Sequence, residues 1–182
     1  SFLQKQIDVK KPGIFLQGIG GFSVPTGEYD PHIHDSDLPE NFNPGNGSLG
    51  FSGGLTFTIT KPAGGIEFDN NTTYYLPSTA GYQFGGQYSS RLTFYGNIDV
   101  KQSFQWLPFV GLEYQHVSKD QYANGITVDE TGGDNLLGTV GSQVKTGPLL
   151  ISGFINIPII DQYANQTVEL QQQFRLSATY IF

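Results

Sequence analysis

The sequence predicts an all-β protein, an antiparallel up-and-down transmembrane β-barrel, and three observations support this prediction. Apolar and polar residues alternate with period two again and again, whereas helical periodicity is hard to find. Most predicted strands exceed ten residues, which is long for a soluble domain but sufficient for a tilted crossing of a bilayer. Short turns alternate with longer loops, as is typical of outer-membrane barrels.

Eight full strands are predicted from the alternation. The clearest is 48–60, where one face carries large apolar side chains and the other carries only Ser, Gly and Thr. The predicted strands cover residues 13–24, 48–60, 65–76, 84–100, 104–118, 135–145, 148–159 and 168–182. Tight turns then lie at 61–64, 101–103 and 146–147, and longer loops at 25–47, 77–83, 119–134 and 160–167.

A partial strand is also predicted at the N-terminus. Residues 6–10 (QIDVK) echo residues 97–101 (NIDVK), where a strand enters a tight turn, so 2–9 are predicted to end a ninth strand. Bacterial single-chain barrels have even strand numbers, so residues 1–182 would be a single barrel domain that forms the C-terminal portion of a larger barrel. The alternative is a short tail tucked under an eight-stranded barrel.

Composition excludes several classes of protein. The net charge of -7 lacks the electrostatic footprint of a nucleic-acid binder, so no nucleic-acid partner is expected. Cysteine is absent, which removes disulfide scaffolds and thiolate metal sites.

The polar face of the strands is too poorly charged for a water-facing surface. Such a surface is normally about 25–35% charged, yet the polar face of 48–60 carries no charge at all. We therefore expect the apolar face to meet lipid and the polar face to point inward. A soluble lipocalin-like barrel or sandwich, with the apolar side inward, is the alternative.

Aromatic residues near the strand ends predict two interfacial girdles. Toward the long loops these are Phe22, Tyr74, Phe84 and Tyr114, and toward the turns Trp106, Tyr180 and Phe182. Strand 65–76 fits lipid least well, because its outward face would include Asn70 and Thr72. This strand could instead meet a protein neighbour.

The last strand predicts an insertion signal. Its apolar series alternates with polar residues and ends on an aromatic residue at the C-terminus, like the terminal β-signal of outer-membrane barrels; the series includes Phe174, Leu176, Tyr180 and Phe182. The barrel-assembly machinery would then be a partner during insertion. An ordinary amphipathic strand is the alternative.

The inward face predicts a charged ladder across three strands. A hairpin centred on Gln102 places Arg91 opposite Glu113, and a loop symmetric about Thr79 places Arg91 opposite Glu67. This ladder would either rigidify a narrow barrel or set the electric field in a pore. Further lumen-lining candidates are Asp69, Tyr95, Gln173 and Arg175.

Catalysis is not predicted. The sequence has no phosphate-binding loop and no nucleophile elbow, so neither enzyme activity nor a cofactor is expected. His32 and His34 could hold a cation with Asp35, but the spacing matches no named metal motif, which favours a solvated acidic loop. The same holds for a second acidic set that could bind calcium: Asp129, Glu130 and Asp134.

Five motifs carry a family resemblance across most of residues 13–182. They are GGFSVPTGEYD at 20–30, NPGNGS at 43–48, GYQFG at 81–85, GLEYQH at 111–116 and DETGG at 129–133. The chain resembles the bacterial outer-membrane transporter family named after the meta-pathway of phenol degradation. The resemblance implies a barrel of about a dozen strands in the Gram-negative outer membrane, with periplasmic turns, extracellular loops, and the lipid bilayer and other outer-membrane proteins as partners.

Two functions follow as expectations. The first is a passive channel or uptake conduit for small, including hydrophobic, molecules. The second is a non-transporting structural or accessory barrel within a larger outer-membrane complex. Both expectations depend on the apolar face pointing away from the barrel interior.

Overall fold

Nine antiparallel strands form the described part of the chain, which in this computed structural model comprises residues 12–30, 45, 47–101, 104–163 and 170–180. They are β1 (Gly13–Ser23), β2 (Gly50–Lys61), β3 (Gly64–Tyr75), β4 (Gln87–Gly96), β5 (Ile98–Lys101), β6 (Phe104–Val117), β7 (Gly133–Thr146), β8 (Leu149–Tyr163) and β9 (Gln173–Tyr180). The prediction of an all-β antiparallel fold is confirmed. None of these residues belongs to a helix long and apolar enough to cross a membrane.

The described part of the chain has nine strands because one predicted strand is divided in two, and not because of the strand predicted at the N-terminus. The predicted strand 84–100 is divided at Asn97 into β4 and β5. The Asn97 side chain donates a hydrogen bond to the carbonyl of Pro62 (3.0 Å) and accepts one from Gln105 (2.7 Å), so it serves the neighbouring turn. The predicted strand at 2–9 lies outside the described residues.

The strands form a meander in which chain neighbours pair. The order across the sheet is β1-β2-β3-β4-β6-β7-β8-β9, and β5 continues β4 along β6. The predicted tight turn at 146–147 depends on Gly147, whose φ of 54° would strain a residue with a side chain. Within the described residues β1 and β9 are edge strands that do not pair, so the sheet is not closed into a barrel.

The two faces of the sheet differ sharply. Apolar side chains of one face are exposed, such as Leu112 at 50% and Phe94 at 47%, while their neighbours Glu113 (5%) and Thr93 (3%) on the other face are buried. Six strands (β3, β4, β6, β7, β8 and β9) contribute side chains to one cavity on the polar face, so the sheet curves around it. The polar face is therefore concave and the apolar face convex, as predicted from the alternation.

Candidate functional site

A polar cavity of about 380 Å³ lies on the concave face. Six strands line it. The strand register places on this face the odd-numbered residues of β3, β4, β6, β7 and β9 and the even-numbered residues of β8. Five of the predicted lumen residues line the cavity and carry all its charges: Glu67, Asp69, Arg91, Glu113 and Arg175.

The predicted pair of Arg91 and Glu113 is confirmed. The two residues are register partners on β4 and β6. Arg91 Nε donates to Glu113 Oε2 at 2.8 Å, and Nη2 contacts the same oxygen. The other oxygen, Oε1, accepts from Gln115 Nε2 at 2.9 Å. The buried carboxylate is thus satisfied on both oxygens, as a buried charge requires.

The other half of the predicted ladder is wrong. Asp69, not Glu67, lies opposite Arg91, because the connection between β3 and β4 is not symmetric about Thr79. Glu67 lies between Thr58 and Thr93. Both carboxylates are held from β2, since Thr56 Oγ1 donates to Asp69 Oδ1 (2.7 Å) and Thr58 Oγ1 to Glu67 Oε2 (3.2 Å).

The three other predicted lumen residues share the concave face. Arg175 lies with its guanidinium carbon 5.4 Å from the ring centre of Phe154, a cation–π contact. Tyr95 is buried in a small cluster with Leu107 and Phe109. Gln173 lies opposite Asn156.

Sequence reasoning missed several polar residues of the cavity. Gln143 is only 6% exposed, and its Oε1 has no hydrogen-bond partner among the described residues. The hydroxyls of Ser152 and Ser177 are hydrogen-bonded at 2.7 Å. These residues follow the same alternation as Arg91, so extending the face assignment along β7, β8 and β9 would have found them.

Hydrogen bonds to Asp120 connect the loop between β6 and β7 with the loop between β3 and β4. The Asp120 carboxylate accepts from the Tyr82 hydroxyl and from the Gly85 amide, each at 2.6 Å. Phe84 packs edge-on against Tyr82, with ring centres 5.1 Å apart. Phe84 therefore belongs to this loop cluster. The predicted start of a strand at residue 84 is wrong, since β4 begins at Gln87.

The other predicted girdle residues that the structure describes lie on the convex face. Phe22 and Tyr74 flank Phe51 in register near the long loops, and Tyr114 packs beside Tyr88. Toward the turns, Trp106 donates to Ser142 at 2.9 Å. In the predicted insertion signal, exposure of Phe174 and Leu176 reaches 79% and 81%, and Tyr180 is also exposed. Phe182 lies outside the described residues.

The metal candidates that the structure describes do not form a metal site. His32, His34 and Asp35 lie outside the described residues. In the second acidic set, Asp129 pairs with Lys119 (2.6 Å), and Asp134 contacts His116 (2.9 Å) and the Tyr114 hydroxyl. Across the described ranges no three His, Asp or Glu residues converge on a common point for a metal ion.

Comparison with known proteins identifies a family. No curated protein matches the chain. A family model with the description "Putative MetA-pathway of phenol degradation" matches residues 9–175, which is most of the chain and spans every strand from β1 to β8. The chain therefore belongs to this phenol-degradation family.

Proposed function

We propose that the chain forms the wall of a β-barrel in a bacterial outer membrane and that the barrel is a passive, non-catalytic conduit for small molecules. The observation that carries the proposal is the division of the sheet into an exposed apolar convex face and a polar concave face around a cavity. A membrane barrel needs this arrangement, because lipid surrounds it and water fills its interior.

The dimensions of the convex face agree with a bilayer. From Trp106 to Tyr114 on β6 the outward residues are apolar, over about 27 Å of strand at about 3.4 Å per residue. A tilt of about 40° reduces this to about 20 Å of membrane depth, near the 25 Å or so of known apolar bands. Polar His116 and Asp134 follow just beyond this band.

The edge strands β1 and β9 need pairing partners if the sheet lies in a membrane. Unpaired N–H and C=O groups of β1 and β9 would be costly in lipid, so we propose that additional strands close the barrel between these edges. Because β1 and β9 run antiparallel, an even number of strands fits between them. A barrel of about a dozen strands meets this condition.

A reconstitution experiment tests the conduit. Liposomes containing the protein should admit small neutral solutes faster than protein-free liposomes in an osmotic swelling assay. Ser152→Trp, which fills the cavity, should slow entry. Ile151→Trp is the matched control, because Ile151 is the neighbouring residue on the convex face and should leave entry unchanged.

Swelling no faster than in protein-free liposomes would refute the conduit. It would favour the second candidate, a non-transporting barrel in a larger outer-membrane complex. That candidate is supported by an apolar groove of about 520 Å³ on the convex face, bordered by Phe57 and Phe68 but also by Asn70 and Thr72. Two polar side chains beside an apolar groove suit a protein neighbour better than lipid.

A further inference from the structure

The cavity carries its charges unevenly. Three carboxyl groups and two guanidinium groups line it, so acidic groups outnumber basic ones. Arg91 is committed to Glu113, although Asp69 is its direct register partner on the other side. In the described part of the chain neither Glu67 nor Asp69 forms an ion pair, so β3 presents an acidic wall made of these two residues.

A buried acceptor independently points to a hydrogen-bond donor in the cavity. Gln143 is 94% buried and lines the same cavity, yet its Oε1 accepts no hydrogen bond from any described residue. A buried carbonyl without a donor is destabilising, and most such groups in folded proteins have a partner. A bound solute that donates hydrogen bonds would supply one.

The cavity also has an apolar portion. Phe109, Leu150 and Phe154 line it among the polar residues, and the two rings pack edge-on at 6.3 Å. A volume of about 380 Å³ is within the range of small-molecule sites. The cavity therefore offers an acidic, acceptor-rich side and a small apolar surface.

We propose that this cavity is a binding site for a small organic cation with an apolar body, an alkyl- or arylalkylammonium ion. The ammonium group would donate hydrogen bonds to the acidic wall and to the free acceptor of Gln143, since it has three donors and no acceptor. Its body would lie on the rings of Phe109 and Phe154. The site lies on the wall of the proposed conduit, and in that sense the inference rests on the proposed function.

Three probes of nearly equal shape test the charge preference. Benzylamine is a cation at neutral pH, benzyl alcohol is neutral and benzoate is an anion. Calorimetric titration of the protein in detergent micelles should show binding in the order benzylamine, then benzyl alcohol, then benzoate. Equal binding of the three, or tighter binding of benzoate, would overturn the proposal.

Variants that remove a negative or a positive charge from the cavity test whether benzylamine binds there. Asp69→Asn should weaken benzylamine binding about tenfold, which corresponds to about 1.4 kcal/mol, while Arg175→Gln should strengthen it by removing a like charge from the cavity. Glu130→Gln is the control, because it removes the same charge as Asp69→Asn from an exposed loop. Equal effects of Asp69→Asn and Glu130→Gln would show that net charge alone acts and would refute the site.

The experiments test the binding site and the conduit independently. The titration uses micelles and does not require transport across a membrane. Benzylamine that binds with the expected variant pattern, without solute entry into liposomes, would refute the conduit and retain the site. Solute entry without preferential benzylamine binding would retain the conduit and refute the site.

Discussion

At the residue scale, Glu113 shows what a buried charge needs from its neighbours. Its carboxylate is 5% exposed and is held by Arg91 from one strand and by Gln115 from its own. Both oxygens are therefore satisfied, and the cost of removing the charge from water is offset within the sheet. Arg91 is half exposed toward the cavity, so it remains within reach of a solute.

Replacing Arg91 by Met should lower the free energy of unfolding by about 2 kcal/mol, because a buried carboxylate loses its counterion. The value is below that of a fully buried pair, since Arg91 is partly solvated. Urea titration in lipid vesicles measures it. The double variant Arg91→Met/Glu113→Leu should recover most of the loss; a double variant as unstable as the single one would show that the pair is not the cause.

The sequence predicted the register between β4 and β6 correctly, but not the register between β3 and β4. A short turn centred on Gln102 fixes which residues face each other, so Arg91 and Glu113 could be paired from their numbers. The connection between β3 and β4 is longer and folds into the loop cluster, which shifts its centre and brings Asp69 opposite Arg91. Loop length alone does not reveal such packing.

At the element scale, the loops between strands are structured by a few side chains. Asp120 joins the segment after β6 to the segment before β4 through Tyr82 and Gly85. Its backbone amide in turn donates to Thr131 Oγ1 at 2.9 Å. The sequence predicted long loops at these positions but offered no signal for their mutual packing, because the contacts join residues 35 and 38 positions apart.

Replacing Asp120 by Asn should loosen this cluster while the strands stay folded. Hydrogen bonds to a charged acceptor contribute about 1.5–3 kcal/mol, so amide exchange at Gly85 should quicken by at least about tenfold. Hydrogen-exchange mass spectrometry of the loop peptides measures this. Asp129→Asn, which removes an exposed ion pair with Lys119, is the control and should leave exchange at Gly85 unchanged.

At the scale of the whole molecule, the orientation of the two faces decides the proposed location. Ile157 on the convex face and Asn156 on the cavity side are adjacent in sequence but lie in opposite environments. In a water-soluble protein an exposed substitution would change stability by at most about 0.5 kcal/mol. In a membrane barrel a charge on the lipid face costs about 2–4 kcal/mol at mid-depth.

Ile157→Arg should therefore destabilise the protein in lipid vesicles by about 2–4 kcal/mol, whereas Asn156→Arg, which faces the cavity, should cost less. Urea titration in vesicles compares the two variants. Similar stability of Ile157→Arg and the unaltered protein would mean that water, not lipid, meets the convex face.

The alternation of side chains predicted the order of the long strands along the chain and the face that each residue occupies, because a strand turns successive side chains to opposite sides. It did not predict the break at Asn97 that divides β4 from β5. It could not predict the curvature that gathers residues of six strands around one cavity, nor the isolation of Gln143 within it. Those features depend on how distant strands twist and pack together, and local pattern carries no information about that geometry. The acidic wall of Glu67 and Asp69 illustrates this division. The side of the sheet on which it lies follows from period two. The folded register decides that, among the described residues, Arg91 pairs with Glu113 and neither wall residue has a paired cation.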